Sequence, residues 1–329
     1  MATWWKRANQ HRASAVGLVK HAEGWAIAKV SLREQQGWQL DSYRWLVSSG
    51  SLNDDRKSLQ LMVKTMGLKG LPCHYVLADE DYQLFLMESP NLKGDELVQA
   101  MGWQIKDLLP YPVQDAVVDV FQVPQSTAKA GKSMVNVVAA PQQQILDIAK
   151  ELDEVGLRLE SVDISELALG SVMRMSGAHP RGEALAILHP GRGELLMFSQ
   201  GQLAMSRKFE LAYQAEIDEP LPSDQLLLEL QRTLDYYERQ LGQLPPAKIR
   251  LAGKHLHESK LDEAFKQALN IPIELLQLEA QWVAYQNEAE GEFSALLATG
   301  GALRGLLSTG TLELPKAAEA HAAQTQGAA

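Results

Sequence analysis

Two stretches of this chain carry the same pattern of apolar and polar positions. In the first, apolar runs at 15–19 and 25–30 flank the turn Lys20-His21-Ala22-Glu23-Gly24, and Gly37 opens a third run over 38–47. In the second, runs at 184–188 and 195–198 flank Pro190-Gly191-Arg192-Gly193, and a third starts at 203 after Gln200-Gly201-Gln202. Apolar runs of this length bounded by glycine turns predict strands, so each stretch predicts a three-stranded meander. Sequence identity between the two is negligible, but the repeated order of elements marks an internal repeat.

Helical periodicity fills the intervals. Leu59, Met62, Val63 and Met66 share one face of 54–66. Leu97, Val98, Met101, Ile105 and Leu108 do the same over 95–108. Ile145, Ile148, Ala149, Leu152 and Val155 line a helix over 141–155, with Gly156 as its cap. The strongest pattern, Leu227, Leu230, Leu234, Tyr237 and Leu241, predicts a helix over 224–241 with Ser223 as N-cap and Gly242 just past its end. Further helices are predicted over 165–175, 258–269 and 295–306. Short strands are predicted at 75–78, 82–87, 117–123, 134–139, 157–164 and 249–251, with an extended segment at 272–276. Interleaved strands and helices make this an α/β protein. The break at 179–182 divides it into a first lobe over 14–180 and a second over 181–310. An inserted α/β subdomain is expected at about 92–156. Tails at 1–13 and 311–329 remain, and the Ala/Gln-rich second one is expected to be disordered.

The 329 residues, 46% of them hydrophobic, suffice for two cores. With 41 acidic and 31 basic residues the formal charge is −10, which opposes non-specific binding to nucleic acid. The single cysteine, Cys73, cannot form an internal disulfide and is too little for a thiolate zinc site; a small core filler is its ordinary role. No apolar leader follows the basic N-terminus, and no segment reaches the roughly 18 apolar residues of a membrane span. The expected location is therefore the cytoplasm. Trp4 and Trp5, beside Lys6 and Arg7, suit a membrane interface, a partner groove or simple packing on the protein body.

Candidate chemistry is sparse. Ala130-Gly131-Lys132-Ser133 imitates the end of a phosphate-binding Walker A loop. However, Ser126 stands where that motif needs glycine, and a strand rather than a helix follows. His255 and His257 bracket Leu256 near a turn without the further ligands a metal requires. No Ser/His/Asp set is placed to make a nucleophile. No catalytic residue and no metal site is predicted.

Four stretches carry a resemblance: LLELQRTLDYY at 227–237, LDEVGLRLESVD at 152–163, IRLAG at 249–253 and ATGGALR at 298–304. In this order the chain resembles the PilM-like type IV pilus assembly proteins over about 14–306. The resemblance implies the actin-like ATPase fold, a duplicated ribonuclease H-like unit in two lobes with an inserted α/β subdomain. It also implies a nucleotide between the lobes, with phosphates on two glycine turns and Mg²⁺ on carboxylates. This sequence departs at those turns. Val19 stands where the first turn has an acidic residue, and Glu23 adds negative charge there. His189 stands where the second has aspartate. What remains is a vestigial cleft of His189, Gly191, Gly193, Gly253 and Lys254, so neither ATP nor Mg²⁺ is an expected cofactor.

The resemblance further implies a non-enzymatic adaptor at the inner membrane. It would dock the N-terminal cytoplasmic peptide of a PilN-like membrane partner and link that complex to the pilus extension ATPase. Trp103, Ile105, Leu109, Tyr111 and Val113 are the candidate partner-binding cluster, or else they fill the inserted lobe's own core. An active ATPase of the same fold, and the cytoplasmic module of a type II secretion L-type protein, are the alternatives.

Overall fold

The computed structural model describes residues 14–33, 37–124, 133–177, 179, 181–199, 201–253, 255–261, 263–276 and 292–308. The expectations for Trp4 and Trp5, for most of the loop containing the Walker-like tetrapeptide, for Lys254 and for the C-terminal tail lie outside the described residues.

Both meanders form. The first is β1 (Ser14–His21), β2 (Gly24–Arg33) and β3 (Gly37–Val47). With β4 (Pro72–Val76) and β8 (Arg158–Asp163) it makes a sheet of order β3-β2-β1-β4-β8. The second is β9 (Glu183–His189), β10 (Arg192–Ser199) and β11 (Gln202–Glu210). With β12 (Ile249–Gly253) and β13 (Ile273–Leu275) it makes a sheet of order β11-β10-β9-β12-β13. The two orders are the same. In each sheet the meander is antiparallel and the last two strands run parallel to the first. Each second strand also shifts register against the third, at Lys29/Val30 in β2 and at Met197/Phe198 in β10.

Period-two alternation explains how both faces of each sheet are covered. On β1, Val16 and Leu18 pack outward with Leu59 and Val63 of α1 (Leu52–Thr65) and with Ile148 and Leu152 of α3 (Gln142–Val155). Ala15 and Val19 face inward, into the core between the sheets. On β9, Ala184, Ala186 and Leu188 pack against Leu226, Leu230, Leu234 and Tyr237 of α5 (Ser223–Arg239), while Leu185 and Ile187 face inward. Phe265 of α6 (Glu263–Gln267) joins the outer cluster.

Between the sheets lie α4 (Ser165–Met175) and α7 (Glu292–Ser308), and the two lobes exchange them. α4 follows the first sheet in sequence, yet Gly170 brings it against the Phe198 ring of β10. α7 follows the second sheet, yet it packs on β1, β2 and β4. The helices cross each other where a Cβ on Gly300 would strike the Ala168 carbonyl. Only glycine lets the backbones come so near.

A third sheet of order β5-β7-β6 is built from β5 (Gln83–Glu88), β6 (Ala116–Gln122) and β7 (Met134–Pro141). α2 (Gly94–Ile105) covers one face through Leu97, Met101 and Ile105. This membership differs at both ends from a subdomain over 92–156: β5 joins the small sheet, while α3 packs on α1 and β8 in the first lobe.

Two local expectations also change. Pro222, not Ser223, occupies the N-cap of α5, and Ser223 is already helical. The predicted helix over 258–269 shortens to α6 and a preceding turn at Glu258–Lys260, because Lys260 N–H bonds back to His257 O and closes a tighter turn there. Among the described residues no helix is long and apolar enough to cross a membrane.

Candidate functional site

The lobes meet where β1, β4, β9 and β12 end. Alternation carries the inward side of β1 from Val19 to His21 and that of β9 from Ile187 to His189. On β10 the same rule points Arg192, Glu194 and Leu196 inward, and register sets Glu194 directly across from Lys208 of β11. The first lobe supplies Asp79 and Tyr82 from the segment after β4, and Glu166 from the first turn of α4.

These side chains bond to one another across the cleft. Asp79 Oδ2 accepts from Arg192 Nη1 at 3.0 Å and lies 3.4 Å from Lys208 Nζ. Tyr82 Oη donates to Glu166 Oε2 at 2.6 Å. Ser206 Oγ donates to Glu194 Oε1 at 2.9 Å. Glu166 and Glu194 are 1% and 2% exposed, which is unusual for glutamate and makes their protonation decisive. Burial, then the nearby Glu194, pushes the Glu166 carboxyl up to about 8. Burial, then Asp79, raises Glu194 as well. For Asp79 burial opposes ionisation, but Lys208 and Arg192 outweigh it and hold its carboxyl below the usual range.

The residues the sequence singled out now have positions. His189 lies edge-on to Phe293 with ring centroids 4.9 Å apart. Burial, then Arg192, pushes its imidazole down to about 4, so the ring is neutral near pH 7. Its Nε2, like that of His21, is enclosed without a hydrogen-bond partner. Gly191 turns the chain at φ 75°, but its N–H is used: it donates to Tyr213 O at 2.7 Å. Gly193 faces the Phe209 ring so closely that a Cβ there would overlap it. Gly253 lies opposite Leu188, and a Cβ on it would come 2.9 Å from Leu188 O. Gly193 and Gly253 thus serve the packing of the second lobe, and Gly191 serves its turn.

The inserted sheet closes the cleft from another side. Asn136 Nδ2 donates to Leu203 O at 3.4 Å, and Gln243 Nε2 to Pro124 O at 2.7 Å. Val123 is buried in the second lobe's outer cluster, and Leu86 and Met134 lean on it. The candidate partner cluster divides. Ile105 is fully buried under α2 and Leu109 is half-buried beside it. Tyr111 is tied to Gln83 Oε1 at 3.2 Å, Val113 is half-buried, and Trp103 is 68% exposed.

Neither a known protein family nor a curated protein matches the sequence. Solved structures do match. The structure of a PilM–PilN type IV pilus biogenesis complex aligns with TM-score 0.60 at 16% identity, over 91% of this chain and 99% of that one. The cytoplasmic domain of EpsL, an inner-membrane component of the Vibrio cholerae type II secretion system, aligns with TM-score 0.52 at 12% identity, over 87% and 94%. At such identities the likeness speaks to fold. The duplicated strand order agrees with it. The chain has the actin-like fold. In that fold the cleft described above is the inter-lobe cleft, and here the protein's own ion pairs bridge it.

Asp79, Tyr82, Glu166, Glu194 and Lys208 were not among the residues read from sequence as a site. Two of them left a trace: Glu194 stands immediately before the apolar run of β10, inside the strand, and Glu166 is the one acid in a helix otherwise of apolar and small residues as far as Met173. Asp79 reads only as part of an acidic turn.

Proposed function

We propose that this chain is a non-enzymatic structural adaptor of a type IV pilus assembly platform of the MSHA type, akin to the biogenesis protein MshI. In this reading it works in the cytoplasm and reaches the inner membrane only through a PilN-like partner. It docks that partner's N-terminal cytoplasmic peptide and connects the complex to the pilus extension ATPase. The observation that carries the non-enzymatic part is the bridging of Asp79 to Arg192 and Lys208. Phosphoryl transfer rests on cations and N–H groups aimed at phosphate oxygens. Here a carboxylate occupies the cations and Tyr213 O occupies the Gly191 N–H. The docking part rests on the likeness in fold to the PilM–PilN complex, with Trp103 as the exposed aromatic anchor and the half-buried Leu109, Tyr111 and Val113 as the further candidate contacts.

Calorimetry on the purified chain tests both parts. A synthetic peptide from the N-terminus of the PilN-like partner is expected to bind, and Mg-ATP is not. Micromolar Mg-ATP binding would favour an active ATPase of this fold. Failure of that peptide, with binding to a type II secretion partner instead, would favour an L-type secretion module.

A further inference from the structure

The inter-lobe cluster does not balance its charges. It holds the carboxyls of Asp79, Glu166 and Glu194 and the cations of Arg192 and Lys208. Both cations are committed to Asp79, at 3.0 and 3.4 Å. Glu166 is met by a neutral donor, Tyr82 Oη, and Glu194 by another, Ser206 Oγ. Two nearly inaccessible carboxyls whose hydrogen-bond donors are neutral cannot both stay ionised without a large desolvation cost. One proton held between them removes that cost.

We propose that this cluster is a proton-gated latch: the lobes are fastened while Glu166 and Glu194 hold a proton between them and loosen when it is lost. The geometry of the latch is what makes proton loss mechanical. Tyr82 is in the first lobe, and Ser165 Oγ on Leu77 O ties the first turn of α4, which carries Glu166, to that lobe, whereas Glu194, Ser206 and Lys208 stand on the second sheet. Ionising both carboxyls sets like charges against each other across the joint. Water must then enter, and the lobes must part to admit it. The groups around Glu166 are Tyr82 and Asp79 from the segment after β4, Glu194 and Arg192 from β10 and Lys208 from β11. His21 and His189 border the Asp79 side. Burial lowers both imidazoles, that of His189 to about 4. Asp79 stays ionised throughout. As pH rises from neutral, the Glu166–Glu194 proton is the one that changes. The proposal stands apart from the adaptor reading, since it needs no partner and no nucleotide.

Spin labels across the joint test it in the full chain. Leu61→Cys on α1 and Leu228→Cys on α5 place one label on each lobe at exposed positions, and the native Cys73 is buried and silent. Distances are read by pulsed electron resonance from about pH 6 to about pH 10. A longer inter-lobe distance is expected to appear as pH rises through about 8. Glu166→Gln keeps the acceptor for Tyr82 and removes the titration, so this variant should hold the short distance throughout. Glu194→Gln should do the same and serves if the first variant fails to fold. A constant distance in the parent protein overturns the proposal by itself, and so does opening of either variant at the same pH as the parent.

Discussion

Gly17 of β1 and Ala298 of α7 meet backbone to backbone: a Cβ at residue 17 would fall on the Ala298 carbonyl and crowd the Ala302 nitrogen. The contact joins an element of the first sheet to a helix that follows the second. Because both sides are main chain, no rotamer can relieve the overlap, and the whole helix would have to shift. Gly17→Ala is therefore expected to cost roughly 3 kcal/mol. Urea denaturation followed by tryptophan fluorescence measures it; a loss near zero would show that α7 can slide on β1.

Gly193 and Phe209 give a second test, one that separates packing from ligand binding. Gly193→Ala pushes a methyl into the Phe209 ring and should cost roughly 1–2 kcal/mol. In a Phe209→Leu background the smaller side chain leaves space, so the same substitution should cost clearly less. A double-mutant cycle reads that coupling. Additive costs would mean the glycine is kept for something other than this ring.

Acid should weaken the fold through His189. Its folded imidazole sits at about 4 against an ordinary 6.5, so between those values the unfolded chain takes up a proton that the folded chain refuses. The contribution is fully present above about 6.5 and drains away as pH falls toward 4. Glu166 acts with the opposite sign. Its folded value is raised, so its contribution is greatest in acid and is lost as pH climbs to about 8. The difference between parent and variant is thus the useful readout. His189→Phe should flatten the acid limb by up to about one proton per molecule in the stability–pH slope. An unchanged slope would place the imidazole in water.

Trp103 and Ile105 lie two residues apart on α2, yet they should behave as opposites. Ile105→Ala opens a cavity under the small sheet and should cost about 2–5 kcal/mol. Trp103→Ala removes an exposed side chain and should leave stability within about 0.5 kcal/mol. If the adaptor reading is right, peptide affinity falls sharply in the Trp103 variant while the melting curve does not move. Full affinity in that variant would shift the docking site elsewhere.

The fold was legible because its signal is periodic. Strands covered on both faces leave continuous apolar runs, and the glycine turns mark their ends, so both meanders could be drawn from residues alone. Gly156 capping α3 in the left-handed conformation, at φ 86°, was readable for the same reason. The cleft was legible only in part. Absent carboxylates at Val19 and His189 could be seen, but their replacement could not. The bridge from Asp79 to Arg192 spans 113 positions, and nothing local couples an acidic turn to an arginine so far along. The roles of Gly193 and Gly253 were hidden likewise, since a glycine kept for Phe209 or Leu188 looks the same in sequence as one kept for phosphate.

The exchange of α4 and α7 between lobes bears on how the chain is made. A ribosome releases the first sheet early, but the helix that covers the inner face of β1 is the last described element to emerge. Until then the inward residues of β1 and β2 have no lid, and the first half cannot finish folding as an independent unit. Contacts of such long sequence separation also slow the final step. Truncation just before α7 should consequently yield aggregation-prone product rather than a smaller native protein, and chaperone demand should peak late in synthesis.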